Sequence, residues 1–296
     1  MLFNSYEFIF GFLPVTLIVY FLLTKQNQTA AALWLGLASL FFYGWWNPKD
    51  VPLLVSSVAL NFIIGRAISR ARDAGGHEGA KWLLIAGLVF NLALLVLYKY
   101  VIQLSLYNYA LTLVASQDNF VGPGIRMSLP LGISFFTLTQ IAFLIDTHRK
   151  VAREYSPTHY LLFVTYFPHL IAGPILHHKE IMPQFADPNT YRWKWENAAV
   201  GLTIFAMGLA KKVLIADEIG IYVSPVFDSG MPVSFFQAWS GALAYTLQLY
   251  FDFSGYTDMA IGLSRLFGIK LPMNFNSPYK AKNIVEFWRR WHMTLS

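Results

Sequence analysis

The sequence predicts an all-α protein that crosses a membrane several times, with tilted, broken or re-entrant helices. Hydrophobic residues make up 56% of the 296 residues and charged residues 13%, against roughly 45–50% and about 25% in soluble domains. Residues 82–98 contain no charge and lie between Lys81 and Lys99, and comparable apolar runs recur along the chain. Because a soluble core cannot bury so many apolar segments, the lipid bilayer is the expected solvent.

The predicted spans follow these apolar runs in order. They are residues 3–23, 30–46, 51–68, 82–98 extended to about 114, 129–145, 160–176, 198–215 and 233–251, with a shorter run at 259–269. Several are shorter than the roughly 20 residues that an upright span needs. Pro168, Gly173 and Pro174 interrupt the run that begins at Tyr160. This segment is predicted to dip into the membrane and return, since non-helical backbone there must be buried in protein or line a cavity.

Loop charge predicts the orientation. Residues 67–81 and 147–157 carry three basic side chains each, whereas residues 47–50 and 115–128 carry one each. The positive-inside rule then places the first two loops in the cytoplasm and the N-terminus outside. Residues 1–6 carry no positive charge, so the first apolar run is interpreted as a retained span and not as a signal peptide. With no repeat and no soluble linker, residues 1–296 are interpreted as one membrane domain.

Composition also excludes several kinds of site. The absence of cysteine removes disulfides, thiol nucleophiles and thiolate metal ligands. The net charge of +6 comes from basic residues scattered between apolar runs, so nucleic-acid binding is not predicted. Adjacent His177 and His178 do not predict a metal site, because neighbouring helical residues point about 100° apart. His169 is either a hydrogen-bonded structural histidine or a group that the broken backbone exposes to a cavity.

Carboxylates are concentrated in residues 245–262, YTLQLYFDFSGYTDMAIG. Asp252 and Tyr256 would share one face of a continuous helix. Ser254 and Gly255 instead predict a helix break, with free helix-end amides near the carboxylates. Asp252 and Asp258 could then act as general acid and base or as a proton relay. Alternatively they cap broken helices and pair with basic residues, namely Arg289, Arg290 or Lys211.

The segment 274–296, NFNSPYKAKNIVEFWRRWHMTLS, places charge between tryptophans. Pro278 is expected to end an extended stretch, and Asn283 to cap a helix that begins at Ile284. On that helix two i, i+4 pairs would form, Glu286 with Arg290 and Trp288 with His292, while Arg289 could hold an anion near the imidazole. A neutral His292 could deprotonate a hydroxyl in acyl transfer. An interfacial Trp/Arg anchor with a solvated histidine fits the same spacing.

Seven stretches along the whole chain carry a resemblance to a known family. They are FNSYEFIFGFLP, SLFFYGWWNP, LPLGISFFTLTQIAFLID, FPHLIAGPI, GLAKKVLIAD, ALAYTLQLYFDFSGYTDMAIG and NFNSPYKAKNIVEFWRRWHMTLS. Through them the sequence resembles the membrane-bound O-acyltransferase (MBOAT) family, in particular the membrane subunits that O-acetylate alginate. The resemblance implies a multi-pass protein of the bacterial inner membrane that transfers an acyl group to a hydroxyl.

The resemblance also implies the reactants and the site. The donor would be acetyl-CoA or an acyl-carrier thioester, with no tightly bound cofactor, and the acceptor an exported polysaccharide reached through extracytoplasmic partners of the SGNH-hydrolase type. His292 would occupy the first of two characteristic active-site positions. Residues around it would shape the cavity: Asn274, Asn276, Tyr279, Trp288, Arg289, Arg290 and Trp291. Further candidates for the cavity are Asp252, Tyr256, Asp258 and His169.

The sequence departs from the family pattern in one respect. A second characteristic histidine, in a Trp-His-Gly motif further downstream, has no counterpart: the one Trp-His pair is Trp291-His292, followed by Met293. The chain ending at Ser296 is therefore interpreted as truncated and is expected to be inactive by itself. The alternatives are D-alanyl transfer to teichoic acid by a related member, a secondary transporter built on Asp252 and Asp258, and a scaffold that docks partners without catalysis.

Overall fold

The computed structural model describes residues 1–102, 104, 129–152, 156–171, 173–176, 178–228 and 232–295. Within these ranges the regular structure is helical and no strand occurs, which confirms the all-α prediction. The helices are α1 (Glu7–Thr24), α2 (Gln28–Gly44), α3 (Val51–Asp73), α4 (His77–Val101), α5 (Ile133–His148), α6 (Pro157–Thr165), α7 (Phe167–Leu170), α8 (His178–Ala186), α9 (Trp195–Phe227), α10 (Phe235–Leu266) and α11 (Ile284–Trp288). The predicted end of the fourth span near residue 114, the loop 115–128 and His177 lie outside the described residues.

Among the described helices, four are long and apolar enough to cross a membrane: α1, α3 with the turn before it (Pro48–Asp73), α4 and α9. This finding confirms a protein with several membrane spans. In the most apolar stretch of each of these helices, between 17% and 33% of the residues are buried. Most of the apolar side chains therefore do not point into the interior. The remaining apolar surface is therefore available to lipid.

The helices α1, α2, α7 and α10 meet in a core of aromatic rings. Phe3, which precedes α1, is 1% exposed and lies against Phe42 of α2 and Phe167 of α7. It also stacks on Tyr256 of α10, with ring centroids 4.8 Å apart. Phe3 therefore anchors the N-terminal residues in this aromatic core.

The helices α3, α4 and α5 are joined by buried polar side chains. Asn61 and Asn91 exchange side-chain hydrogen bonds, at 2.7 Å from Asn91 Nδ2 to Asn61 Oδ1 and 3.3 Å in the opposite sense. Gln140 Nε2 donates to Ser57 Oγ at 3.1 Å. Interhelical pairs of this kind let polar side chains lie inside an apolar bundle, which accounts for Asn91 within an otherwise apolar run.

The segment from α6 to α8 is broken and doubles back, as predicted. The first helix ends at Thr165, and residues Gly173–Leu176 contain no described helix. Phe163 of α6 contacts His178 of α8, while His159 at the other end of α6 contacts Phe185. Because contacts at the start of one helix match those at the end of the other, α8 returns antiparallel to α6. The irregular turn between them reaches the interior of the protein.

The prediction of a break at Ser254-Gly255 is wrong, because α10 runs without interruption for 32 residues. Gly255 serves helix packing instead: a Cβ there would lie 2.8 Å from the carbonyl oxygen of Gly208 in α9. Gly262 faces Gly201 in the same way, with 2.6 Å from its would-be Cβ to that carbonyl oxygen. The two glycine pairs show that α9 and α10 run antiparallel at backbone contact, as small residues permit in membrane bundles.

The helix α9 also extends beyond its predicted end at residue 215, reaching Phe227. Its six residues Lys211–Ala216 form a π-helical turn. The next helix begins with a capping box, in which Ser234 and Gln237 exchange side-chain and backbone hydrogen bonds. Both features depend on hydrogen-bond geometry and not on hydropathy, so hydropathy could not place these boundaries.

Candidate functional site

The segment that follows α10 returns along that helix and contains a short capped helix, α11. The Asn283 side chain accepts a hydrogen bond from the Glu286 amide at 2.8 Å, as predicted for the cap of α11. The predicted pair between Glu286 and Arg290 is also present, with 2.7 Å between Oε1 and Nη2. Tyr279 donates its hydroxyl to the Thr246 carbonyl of α10 at 2.7 Å. These contacts hold the segment 274–295 as a defined loop against α10.

The two ends of this loop are joined by backbone hydrogen bonds. The Asn276 amide donates to the Arg290 carbonyl, and the Met293 amide to the Asn274 carbonyl, both at 2.9 Å. Arg290 Nη1 reinforces the pairing by donating to the Asn276 carbonyl at 3.3 Å. The pairing brings His292 beside Asn274, although 18 positions separate them in sequence.

The predicted shared face of Trp288 and His292 is wrong, because α11 ends at Trp288. His292 has a φ of 47°, in the left-handed region that few side chains adopt. This turn directs the imidazole inward, while Trp288 and Arg289 are exposed. Backbone strain of this kind costs on the order of 1–3 kcal/mol and is concentrated at functional sites.

The surroundings of His292, which we call the His292 pocket, combine one polar and one apolar neighbour. The residue is 8% exposed, and its ring contacts Phe253 of α10 with centroids 5.1 Å apart. Its Nδ1 lies 3.0 Å from Oδ1 of Asn274, which is 1% exposed. Residue 292 lies outside the four candidate spans. Burial lowers the pKa of the His292 imidazole below the ordinary value for histidine, so the neutral ring, which can accept a proton, is the form present at neutral pH.

An aromatic wall borders this pocket on one side. Its members are Tyr250, Phe275, Tyr279, Phe287 and Trp291. Trp291 stacks on Phe287 with ring centroids 5.7 Å apart, and Phe275 meets Trp291 edge to face at 5.0 Å. Of the predicted cavity residues, Asn274, Tyr279 and Trp291 therefore lie in one assembly with His292, and Asn276 and Arg290 support it through the backbone.

Asp252, Asp258 and Tyr256 lie on other faces of α10. Asp258 pairs with Lys211 at 2.5 Å, which confirms one of the predicted partners. Asp252 pairs with Lys212 at 2.5 Å, a contact that the sequence analysis did not predict. Of the three basic partners offered by the sequence, Lys211 is the one found among the described residues, since Lys211 and Lys212 of the π-helical turn approach α10 on the two sides of Gly255. Tyr256 belongs to the core around Phe3.

His169 and the rest of the described chain provide no metal site. His169 Nε2 lies 2.9 Å from the Phe163 carbonyl, and because a carbonyl only accepts, this nitrogen carries the hydrogen. The contact favours the structural interpretation of His169 over the cavity interpretation. Among the residues with described positions, no group of three or more His, Asp or Glu side chains could hold a metal ion.

Three contacts of the pocket were not predicted from the sequence. Thr294 donates its hydroxyl to Asn274 Oδ1 at 3.0 Å, and the Ile175 amide donates to Thr294 Oγ1 at 2.9 Å. Phe253 supplies the apolar side. The only available signal was the motif FPHLIAGPI, whose irregular backbone could have suggested free amides facing a site. The arrangement can hold a neutral histidine in one orientation, as a general base for hydroxyl activation requires.

Sequence comparison identifies the family of the chain. The family described as MBOAT, membrane-bound O-acyltransferase family, matches residues 82–296. The peptidoglycan O-acetyltransferase of Helicobacter pylori is 46% identical over all of this chain and 60% of its own length. The probable alginate O-acetylase AlgI of Pseudomonas aeruginosa is 39% identical over all of this chain and 55% of its own length. A teichoic acid D-alanyltransferase of Bacillus subtilis is 34% identical over 56% of this chain and 42% of its own length.

The chain therefore spans 60% and 55% of the lengths of the peptidoglycan O-acetyltransferase and the probable alginate O-acetylase, respectively. The family match covers more than half of the chain and includes both α10 and the loop that holds His292. The protein belongs to the membrane-bound O-acyltransferase family.

Proposed function

We propose that this chain provides part of an enzyme that transfers acetyl groups to hydroxyls of an exported polysaccharide, with His292 as the general base. One observation carries the proposal: a buried histidine is fixed through Nδ1 to Asn274, in a family of O-acyltransferases. In the proposed step the acceptor hydroxyl loses its proton to Nε2 and its oxygen bonds to the acetyl carbon. The thioester C–S bond breaks, and the proton passes to the leaving thiolate.

The proposal extends to donor and partners by similarity. The donor is an acetyl thioester, carried by coenzyme A or by an acyl carrier, and no tightly bound cofactor takes part. The acceptor is a polymer such as alginate or the glycan of peptidoglycan, because relatives matched along the whole chain are an alginate O-acetylase and a peptidoglycan O-acetyltransferase. An extracytoplasmic protein of the SGNH-hydrolase type receives or passes on the acetyl group. Retention of such a protein on affinity-purified membranes of the producing strain supports this partner, and its absence there contradicts it.

Acetyl transfer is favoured over D-alanyl transfer by the extent of the match. The acetyl-transferring relatives align over all of this chain at 46% and 39% identity, whereas the D-alanyltransferase aligns over 56% at 34%. The two alternatives also differ in an assay. Labelled acetate recovered as polymer ester supports the proposal, and labelled D-alanine recovered in its place contradicts it.

The test compares His292 variants in the protein expressed from its natural reading frame, in a strain whose own copy is deleted. His292→Asn is the informative variant, because asparagine tolerates the left-handed backbone at this position but is not a base. His77→Ala, at an exposed histidine, is the matched control. We expect ester-linked acetate on the polymer to disappear in His292→Asn at unchanged membrane abundance and to persist in the control. Normal acetylation by His292→Asn would refute the role of His292.

A further inference from the structure

The side-chain amide of Asn274 has its orientation fixed by its neighbours. Its Oδ1 accepts from the Thr294 backbone amide at 3.4 Å, from the Thr294 hydroxyl at 3.0 Å, and from His292 Nδ1 at 3.0 Å. A backbone N–H can only donate, so the atom facing it must be the oxygen. The assignment of oxygen and nitrogen in this amide is therefore determined by the contacts.

The same contacts fix the hydrogen on the histidine. Because the Ile175 amide donates to Thr294 Oγ1, the hydroxyl hydrogen is available to Asn274. With Oδ1 acting as an acceptor, the ring nitrogen that faces it must carry a hydrogen. In the neutral imidazole the lone pair then lies on Nε2. The irregular turn between α6 and α8 thus reaches the site through Ile175 and Thr294.

The other atom of the amide, Nδ2 of Asn274, is a hydrogen-bond donor. Asn274 is 1% exposed, and its Nδ2 finds no acceptor among the described residues. A buried donor in this condition is unfavourable and uncommon in folded proteins. The donor belongs to the same side chain that holds the imidazole. An amide hydrogen at such a place is suited to an oxygen that gains negative charge during acyl transfer.

We propose that Asn274 has two roles in the reaction: its Oδ1 holds His292 with the lone pair on Nε2, and its Nδ2 donates to the carbonyl oxygen of the reacting thioester. Thr294 and the Ile175 amide are positioning groups that act through Asn274. This proposal rests on the proposed function of His292. It adds a substrate-binding group for an acyl oxygen and explains why an asparagine, with an acceptor and a donor on one short side chain, lies at this position.

The substitution Asn274→Asp separates the two roles. A carboxylate keeps the acceptor for His292 Nδ1 but has no donor in place of Nδ2. We expect kcat to fall by about 10²–10³-fold, as for the loss of one oxyanion donor. The added negative charge also favours the imidazolium, so the acidic limb of the pH–rate profile should move to higher pH. A role confined to folding would not move that limb. Acetylation at the wild-type rate, or an unshifted limb, would overturn the proposal.

A second pair of variants keeps the test decisive if Asn274→Asp does not reach the membrane. Thr294→Ser retains the hydroxyl, whereas Thr294→Val removes it at nearly constant size. We expect Thr294→Ser, which retains the hydroxyl, to be at least about tenfold more active than Thr294→Val, which loses the hydrogen bonds to Asn274 and from the Ile175 amide. Equal rates in the two Thr294 variants would contradict the positioning chain. An active His292→Asn protein would instead contradict the proposed function, so the two failures are distinguishable.

Discussion

The contact between α9 and α10 predicts the effect of a single added methyl group. In Gly262→Ala the new Cβ would lie 2.5 Å from the Phe205 amide nitrogen and 2.6 Å from the Gly201 carbonyl oxygen. Both atoms belong to the backbone of α9, so no side-chain rotation relieves the clash and the two helices must separate. Overpacking costs about 1–3 kcal/mol, while alanine returns about 0.5–1 kcal/mol relative to glycine within a helix. We therefore expect a net loss on the order of 1–2 kcal/mol in the free energy of unfolding.

The assay is unfolding of the detergent-solubilised protein, followed by tryptophan fluorescence against denaturant. Gly79→Ala is the matched control, because this glycine lies in the first turn of α4 and its Cβ would meet no atom within 4 Å. The control should be as stable as the wild type or slightly more stable. If Gly262→Ala unfolds at the same denaturant concentration as Gly79→Ala, the inferred backbone contact between α9 and α10 is wrong.

Three further predictions concern the other polar groups. A double-mutant cycle of unfolding with Asn61→Ala and Asn91→Ala should give a coupling energy of roughly 0.6–1.7 kcal/mol. Additive effects of the two substitutions would contradict the mutual hydrogen bonds. Lys211→Met should lower thermal stability more than Lys211→Met combined with Asp258→Asn, since the single change leaves a carboxylate without its cation; equal losses would contradict this pair. Burial lowers the pKa of His292, so the rate of acetylation should begin to fall only at a pH below the usual histidine pKa of about 6.5. A pH–rate profile whose acidic limb lies above that value would refute this prediction.

Hydropathy and capping signals were sufficient to predict several of the helices and one part of the site. Long apolar runs predicted α1, α3 and α4, and Asn283 predicted the start of α11. These signals are local: they depend on residues within one or two helical turns. The broken segment after Tyr160 was also predictable, because Pro168 and Pro174 lack the amide hydrogen that a continuous helix would use.

The errors arose where one residue type serves two purposes. Gly255 was interpreted as a helix breaker, but it allows α9 and α10 to touch, and nothing in the local sequence separates these uses. The spacing of Trp288 and His292 suggested a common helical face, but the loop closes by backbone pairing between Asn274 and Met293. Pairings between distant segments decide such cases, and a single sequence does not record them.

The pairing of the aspartates bears on the choice between an acyltransferase and a transporter. A transporter interpretation depended on Asp252 and Asp258 as titrating groups inside the membrane. Asp258 faces Lys211 and Asp252 faces Lys212, each at 2.5 Å, so both have a cationic partner on the neighbouring helix. Lys212 also contacts Asp217 at 2.8 Å. The two ion pairs with α10 lie beside Gly255, where α9 and α10 are in backbone contact, so they can fix the register of the two helices. His292 instead packs against Phe253 on another face of α10. The ion pairs of α10 and the proposed base thus lie on different faces of this helix, and this separation favours acyl transfer over transport.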